Sequence, residues 1–248
     1  MILNWFSPIP EEKSEIARFT GQIAPYFTGK AELVFWTNQA SWAAEMEQFG
    51  EVRSYQPKSV PWKEINSADL SVYNIGNDPR FHASIWAVCQ QHPGLTILHD
   101  FRLQHLFGGM VFKGELEAPV YLSAMREEYG RQGYLDGIGF LEQKVSAEDM
   151  SQQYPLTSLA ANGALALLVH TREAFEWARE NAFSSVEFAA LPYTFPPRPG
   201  ESEAFGVGGL QPLRLIMFGH IGPNRRVSQV LAALRELVKR ISFTLDIF

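Results

Sequence analysis

Short apolar runs, partly β-branched, recur along this chain, and each stops abruptly at turn residues before an amphipathic stretch begins. Glu32–Thr37 (ELVFWT), Asp69–Tyr73 (DLSVY), Leu95–Leu98 (LTIL), Ala164–Val169 (ALALLV) and Leu213–Phe218 (LRLIMF) are the clearest. Such runs between turn signals read as strands buried on both faces, the environment of a parallel sheet. Parallel strands need long crossovers, and the intervening stretches supply helical ones. Ile16, Phe19 and Ile23 keep a helical rhythm, Pro79 to Gln91 is helical, and Thr171 stands as N-cap before REAFEWARE. The alternation predicts an α/β protein with a doubly wound parallel sheet and helices on both faces.

Other segments are less regular. Met1–Phe6 is a first strand, cut off at Ser7-Pro8-Ile9-Pro10, and Ser41 to Phe49 is expected to be helical. Val52 begins a weak strand, and Pro57–Pro61 is loop. Residues 101–155 hold no convincing strand and read as a helical insertion rich in aromatic and acidic side chains. Ser185–Ala189 is a short strand before residues 191–212, whose Pro/Gly-rich composition without periodicity is that of a linker. A helix with Val227, Val230, Leu231, Leu234 and Leu237 on one face follows, and then a strand over Ser242–Phe248. One strand, one helix and one strand cannot close a core of their own. The expected organisation is a first domain over 1–195, a linker over 196–212, and an incomplete start of a second domain over 213–248.

Composition narrows the function. A hydrophobic share of 46% with 19% charged residues is that of a globular chain, and the net charge of −6 argues against a nucleic-acid partner. The single cysteine, Cys89, excludes an intramolecular disulfide and a cysteine-rich metal site. The start, MILNWFSPIPEEK, has no basic segment and too short an apolar run for a signal peptide, and no window approaches the roughly 20 apolar residues of a membrane span. The expectation is a soluble cytoplasmic protein. Acidic residues in 115–149 are spaced as a solvated helical face, so no metal is expected.

Candidate chemistry sits where apolar runs end. Ligands of open α/β sheets collect at the carboxyl ends of the strands. His99-Asp100 follows one such run and His170 another, and imidazoles there suit hydrogen bonding to hydroxyls or proton exchange near neutral pH. Asp100 is placed to orient His99 or to cap the next helix. Asn74-Ile75-Gly76-Asn77 ends a third strand, with two carboxamides that suit neutral polyol groups. After Leu213–Phe218, the turn Gly219-His220-Ile221-Gly222 with Pro223, Arg225 and Arg226 suits a diphosphate at a helix N-terminus. Cations there oppose the helix dipole unless an anion is bound.

In chain order, SPIPEEKSEIARFT, VYNIGNDPRFHASIW, HPGLTILHDFRLQHLF, LVHT, PYTFPP and FGHIGPNRRVSQVLAAL make a string that resembles group 1 glycosyltransferases over most of residues 1–240. These are retaining, metal-independent enzymes of the two-domain GT-B architecture that use nucleotide-diphosphate sugars. The resemblance implies a Rossmann-like acceptor domain first and a nucleotide-sugar domain opening near Gly219. It implies that His99 faces the transferred sugar and that Arg225 meets the donor diphosphate. Two departures stand out: Glu15 occupies the place of a glycine in the family's first loop, and the family's acidic E-x7-E motif is missing before Phe248.

The expected function is therefore transfer of a sugar from a nucleotide-diphosphate donor to a hydroxyl acceptor. His99 and Asp100 are its catalytic residues, and Asn74, Gly76, Asn77 and His170 line the substrate cleft. Gly219, Gly222, Arg225 and Arg226 hold the diphosphate, and neither cofactor nor metal is required. The alternative is a non-catalytic acceptor-binding or assembly domain whose partner chain supplies the donor domain. A hydrolase built on His99-Asp100 is weaker, because no nucleophile elbow accompanies them.

Overall fold

The computed structural model describes residues 1–181, 183, 185–192, 213–217 and 226–247. The chain divides into two compact units, Met1–Tyr193 and Thr194–Phe248.

The first unit is built on seven strands: β1 (Ile2–Phe6), β2 (Glu32–Thr37), β3 (Gly50–Ser54), β4 (Leu70–Ile75), β5 (Gly94–Leu98), β6 (Ala164–Val169) and β7 (Val186–Phe188). All pairs are parallel, in the order β3-β2-β1-β4-β5-β6-β7. This is the predicted α/β class, a Rossmann-like parallel sheet flanked by helices. The order reverses between β1 and β4, and the connections that leave these two strands diverge to opposite sides of the sheet, opening a crevice at their carboxyl ends.

Alternation along the strands feeds two cores. One face carries Phe6, Trp36, Tyr73, Ile75, Leu98, Leu167 and Val169. It is covered by α3 (Pro79–Gln91), α4 (Gln104–Phe112), α5 (Ala118–Leu141), α6 (Ala147–Gln153), α7 (Thr157–Ala161) and α8 (Arg172–Glu180). The other face carries Leu3, Trp5, Leu33, Phe35, Val72 and Ile97 beneath α1 (Glu15–Ile23) and the short turns around Ala24 and Met46. A small helix, α2 (Trp62–Ile65), precedes β4 and buries Ile65.

Three expectations change. The helix predicted over Ser41 to Phe49 is only a 3₁₀ turn, Ala44–Gln48, which buries Met46 alone and has no side-chain cap, too little to hold a full helix. The helical insertion is present, but α5 breaks at Gly130, where φ is 68°. Only glycine takes that conformation without a Cβ penalty. β4 runs two residues further than the apolar pattern shows, because Asn74 and Ile75 pair with Ile97 and Leu98.

The second unit contains β8 (Leu213–Met217), α9 (Val227–Leu237) and β9 (Phe243–Ile247), with β8 and β9 parallel. None of its described residues is buried, and Ile216 and Leu231 expose 59% and 48% of their surface. Residues 196–212, expected as a linker, lie outside the described residues.

Candidate functional site

The crevice at the β1/β4 reversal contains a cavity of about 350 Å³. Its wall combines the start of α1 (Ser14, Glu15, Phe19), the β4–α3 turn (Asn77, Asp78), His82 of α3, and the end of β5 with His99 and Asp100. Each element reaches this point for a local reason. β1 breaks at Pro8 and Pro10, and Ser14 then caps α1 by accepting from the Ile16 N–H at 3.2 Å. Ser7 and Trp5 reach Thr20 of α1 through Ser7 Oγ at 2.7 Å and Trp5 Nε1 at 3.3 Å, fixing the helix over the sheet. α3 starts at Asp78-Pro79, where Asp78 Oδ1 accepts from the Arg80 N–H at 2.9 Å.

Gly76 lies where these parts converge. A Cβ there would overlap Ile16 Cδ1 and would come within 2.9 Å of His82 Nε2 and 3.2 Å of Asp100 Oδ2. The predicted turn glycine is thus packed closely against three side chains that a Cβ would displace.

His99 emerges from β5 with its N–H bonded to the Ile75 carbonyl at 2.9 Å. Its Nε2 lies 3.0 Å from Asn74 Oδ1. The ring packs edge-on against Phe19 at 4.7 Å, and the His170 ring stands 4.9 Å away. Burial, followed by the neighbouring His170 and His82, holds His99 well below the usual imidazole range, so the ring is neutral near pH 7. His170 donates from Nδ1 to the Ala189 carbonyl at 2.7 Å, and its Nε2 is buried with no partner among the described residues.

Asp100 does not orient His99. Its Oδ2 accepts from the Asn77 N–H at 2.8 Å, and burial pushes its carboxyl above the usual range. The two expected catalytic neighbours point to different partners, which removes the dyad that a hydrolase would need. Asn74, expected to line the cleft, is instead a β4 residue with 0% exposure. Its carboxamide is engaged by Phe6 and His99, so it is not free for a ligand. Asn77 does border the cavity, yet its Oδ1 accepts from the Leu106 N–H at 3.2 Å and so caps α4.

His82 was not among the residues that the sequence singles out. It is 1% exposed on α3, donates from Nδ1 to the Asn74 carbonyl at 3.0 Å, and borders the cavity. Burial lowers its pKa to about 4. In sequence it shares the buried helical face of Ile85 and Trp86, so its spacing marks core and not site.

Gly219, Gly222 and Arg225 lie outside the described residues. Arg226 is exposed in the second unit, at the N-cap of α9 with φ of 51°. Among the described residues no group of three His, Cys, Asp or Glu side chains is placed to hold a metal ion, and no helix is long and apolar enough to cross a membrane.

Chemically, the cavity offers neutral imidazoles, a carboxyl and an aromatic wall, with Lys13 and Arg18 exposed at its rim. Such a set suits a hydroxylated ligand lying against Phe19. No protein-family model and no curated protein matches this chain. A solved structure described as "Crystal Structure Analysis of the Glycotransferase of kitacinnamycin" is similar at a TM-score of 0.40 and 13% identity, covering 99% of this chain. This chain spans 65% of that structure's length.

Proposed function

We propose that this chain belongs to a retaining sugar transferase of the group 1 type, with the first unit forming the acceptor side. The observation that carries the reading is the convergence of His82, His99 and Asp100 with the start of α1 on one cavity at the strand-order reversal, Gly76 packing behind them. The ordered motif string from SPIPEEK to GPNRRVSQVLAAL supports it as well. In this reading His99 contacts the transferred sugar, and His170 and Asp100 shape the cleft around it. Arg225 and Arg226 neutralise the departing diphosphate, where electrostatic stabilisation is most effective, and the turn glycines Gly219 and Gly222 give it room to approach the backbone. Neither metal nor cofactor takes part, the co-substrate is a nucleotide-diphosphate sugar, the acceptor is a hydroxyl, and the reaction is cytoplasmic.

Transfer needs a donor domain larger than the described second unit. In a polypeptide that carries one, His99→Ala is expected to lower transfer at least about tenfold, the scale of one lost hydrogen bond to the reacting sugar. Unchanged turnover would remove His99 from the mechanism. The second reading, an acceptor-binding or assembly domain without catalysis, is favoured by the absence of any buried residue among the described part of the second unit. Calorimetry of this chain with UDP- and GDP-sugars tests donor binding by this chain unaided. Heat of binding favours the transferase, and none at about millimolar ligand overturns unaided donor binding.

A further inference from the structure

One buried residue, Asn74, meets both of the imidazoles that border the cavity, His99 through its side chain and His82 through its main-chain carbonyl. Asn74 Nδ2 donates to the Phe6 carbonyl at 3.2 Å. The other end of the amide, Oδ1, is therefore the atom that meets His99 Nε2 at 3.0 Å. A reversed amide would set its oxygen against the Phe6 carbonyl, two acceptors facing each other, so the orientation is forced. An amide oxygen only accepts, so His99 carries its proton on Nε2 and keeps a lone pair on Nδ1. The main-chain carbonyl of Asn74 meanwhile accepts from His82 Nδ1 at 3.0 Å, which leaves that ring's lone pair on Nε2.

The surroundings favour the uncharged rings. His170 approaches His99 from the end of β6 at 4.9 Å, His82 lies on α3, and Phe19 of α1 closes the third side. Asp100, next in the chain, is taken up by the Asn77 N–H. Asp78 is paired with Arg80, and Glu15, Lys13 and Arg18 are exposed at the rim. No carboxylate among the described residues is hydrogen-bonded to either imidazole.

We infer that Asn74 is the positioning residue of this site: it holds His99 and His82 as neutral imidazoles of opposite tautomer, so the ring nitrogen that each leaves for a ligand is an acceptor. The ligand groups that match are hydrogen-bond donors, above all hydroxyls. The choice of hydroxyls rests on the sugar-transfer reading, whereas the tautomers do not depend on it.

Long-range proton–nitrogen correlation spectra of the full chain, labelled with ¹⁵N-histidine, read the tautomers directly. The expected result near neutral pH is His99 protonated on Nε2 and His82 on Nδ1. Asn74→Asp places a carboxylate against His99 Nε2–H, so the His99 titration midpoint is expected to rise by at least about one pH unit while His82 keeps its tautomer. The wild-type tautomer of His99 is the readout that a merely space-filling side chain would not set. A wild-type His99 protonated on Nδ1, or one that titrates at the ordinary imidazole value, overturns the inference. So does a folded Asn74→Asp variant in which His99 does not shift. Should the variant fail to fold, the wild-type spectra decide alone. Failure of the transfer assays leaves these spectra unaffected, so the two proposals fail separately.

Discussion

At Gly76 and His82 single atoms decide what the crevice can be. Gly76→Ala would drive a methyl into Ile16, His82 and Asp100 at once. Overpacking of this kind costs about 1–3 kcal/mol. Urea unfolding should show that loss, and an unchanged midpoint would mean that the loop relaxes freely. His82 makes a pH prediction whose sign is definite. Its folded pKa is about 4 because burial disfavours the cation, while the unfolded chain keeps the ordinary 6.5. Between those values the unfolded state binds more protons, so stability falls as pH drops from about 6.5 towards 4. Replacing the titrating ring, as in His82→Gln, should make that part of the urea-midpoint profile shallower, with the slope from the likewise depressed His99 remaining. His99 was legible in sequence as an imidazole at a strand end and Asn74 as a carboxamide at another, but the burial of Asn74 against His99 and the place of His82 were not. A buried polar side chain is recognised by its partners, and Asn74's partners, Phe6 and His99, are far from it in sequence.

Helix starts tie the cavity to the scaffold. α1 and α8 are capped locally by Ser14 and Thr171, and the Thr171 cap was readable from residue type and position. α4 is different. Its own N-cap, Leu103, makes no side-chain bond, and Asn77 supplies the acceptor from 29 residues away. Asn77→Ala should therefore cost about 1 kcal/mol, as a lost cap does, and Asn77→Asp less, because a carboxylate at a helix start still accepts and suits the dipole. Equal losses for the two, measured by urea unfolding, would argue against the capping role. The break of α5 at Gly130 was also hidden, since a glycine inside a helical pattern reads as a tolerated weakness until the positive φ is seen.

Over the whole chain, burial divides the two units sharply. β1, β4 and β5 carry fully buried residues such as Phe6, Tyr73, Ile75 and Thr96, whereas no described residue of β8, α9 or β9 is buried. Hydrogen exchange should follow that division, with β8, α9 and β9 exchanging far sooner than the central strands. Comparable protection in both would show that the second unit has a cover. Apolar runs broken by turn residues and spaced by helical periods determined the class, the strand order of succession and the ends at which histidines appear, because side-chain period and turn chemistry are local properties. Only the tertiary structure decided that β4 extends through Asn74, that Asp100 answers Asn77 and not His99, and that His82 reaches the same cavity. Those outcomes depend on which distant groups satisfy one another once water is excluded, and a linear pattern does not contain that information.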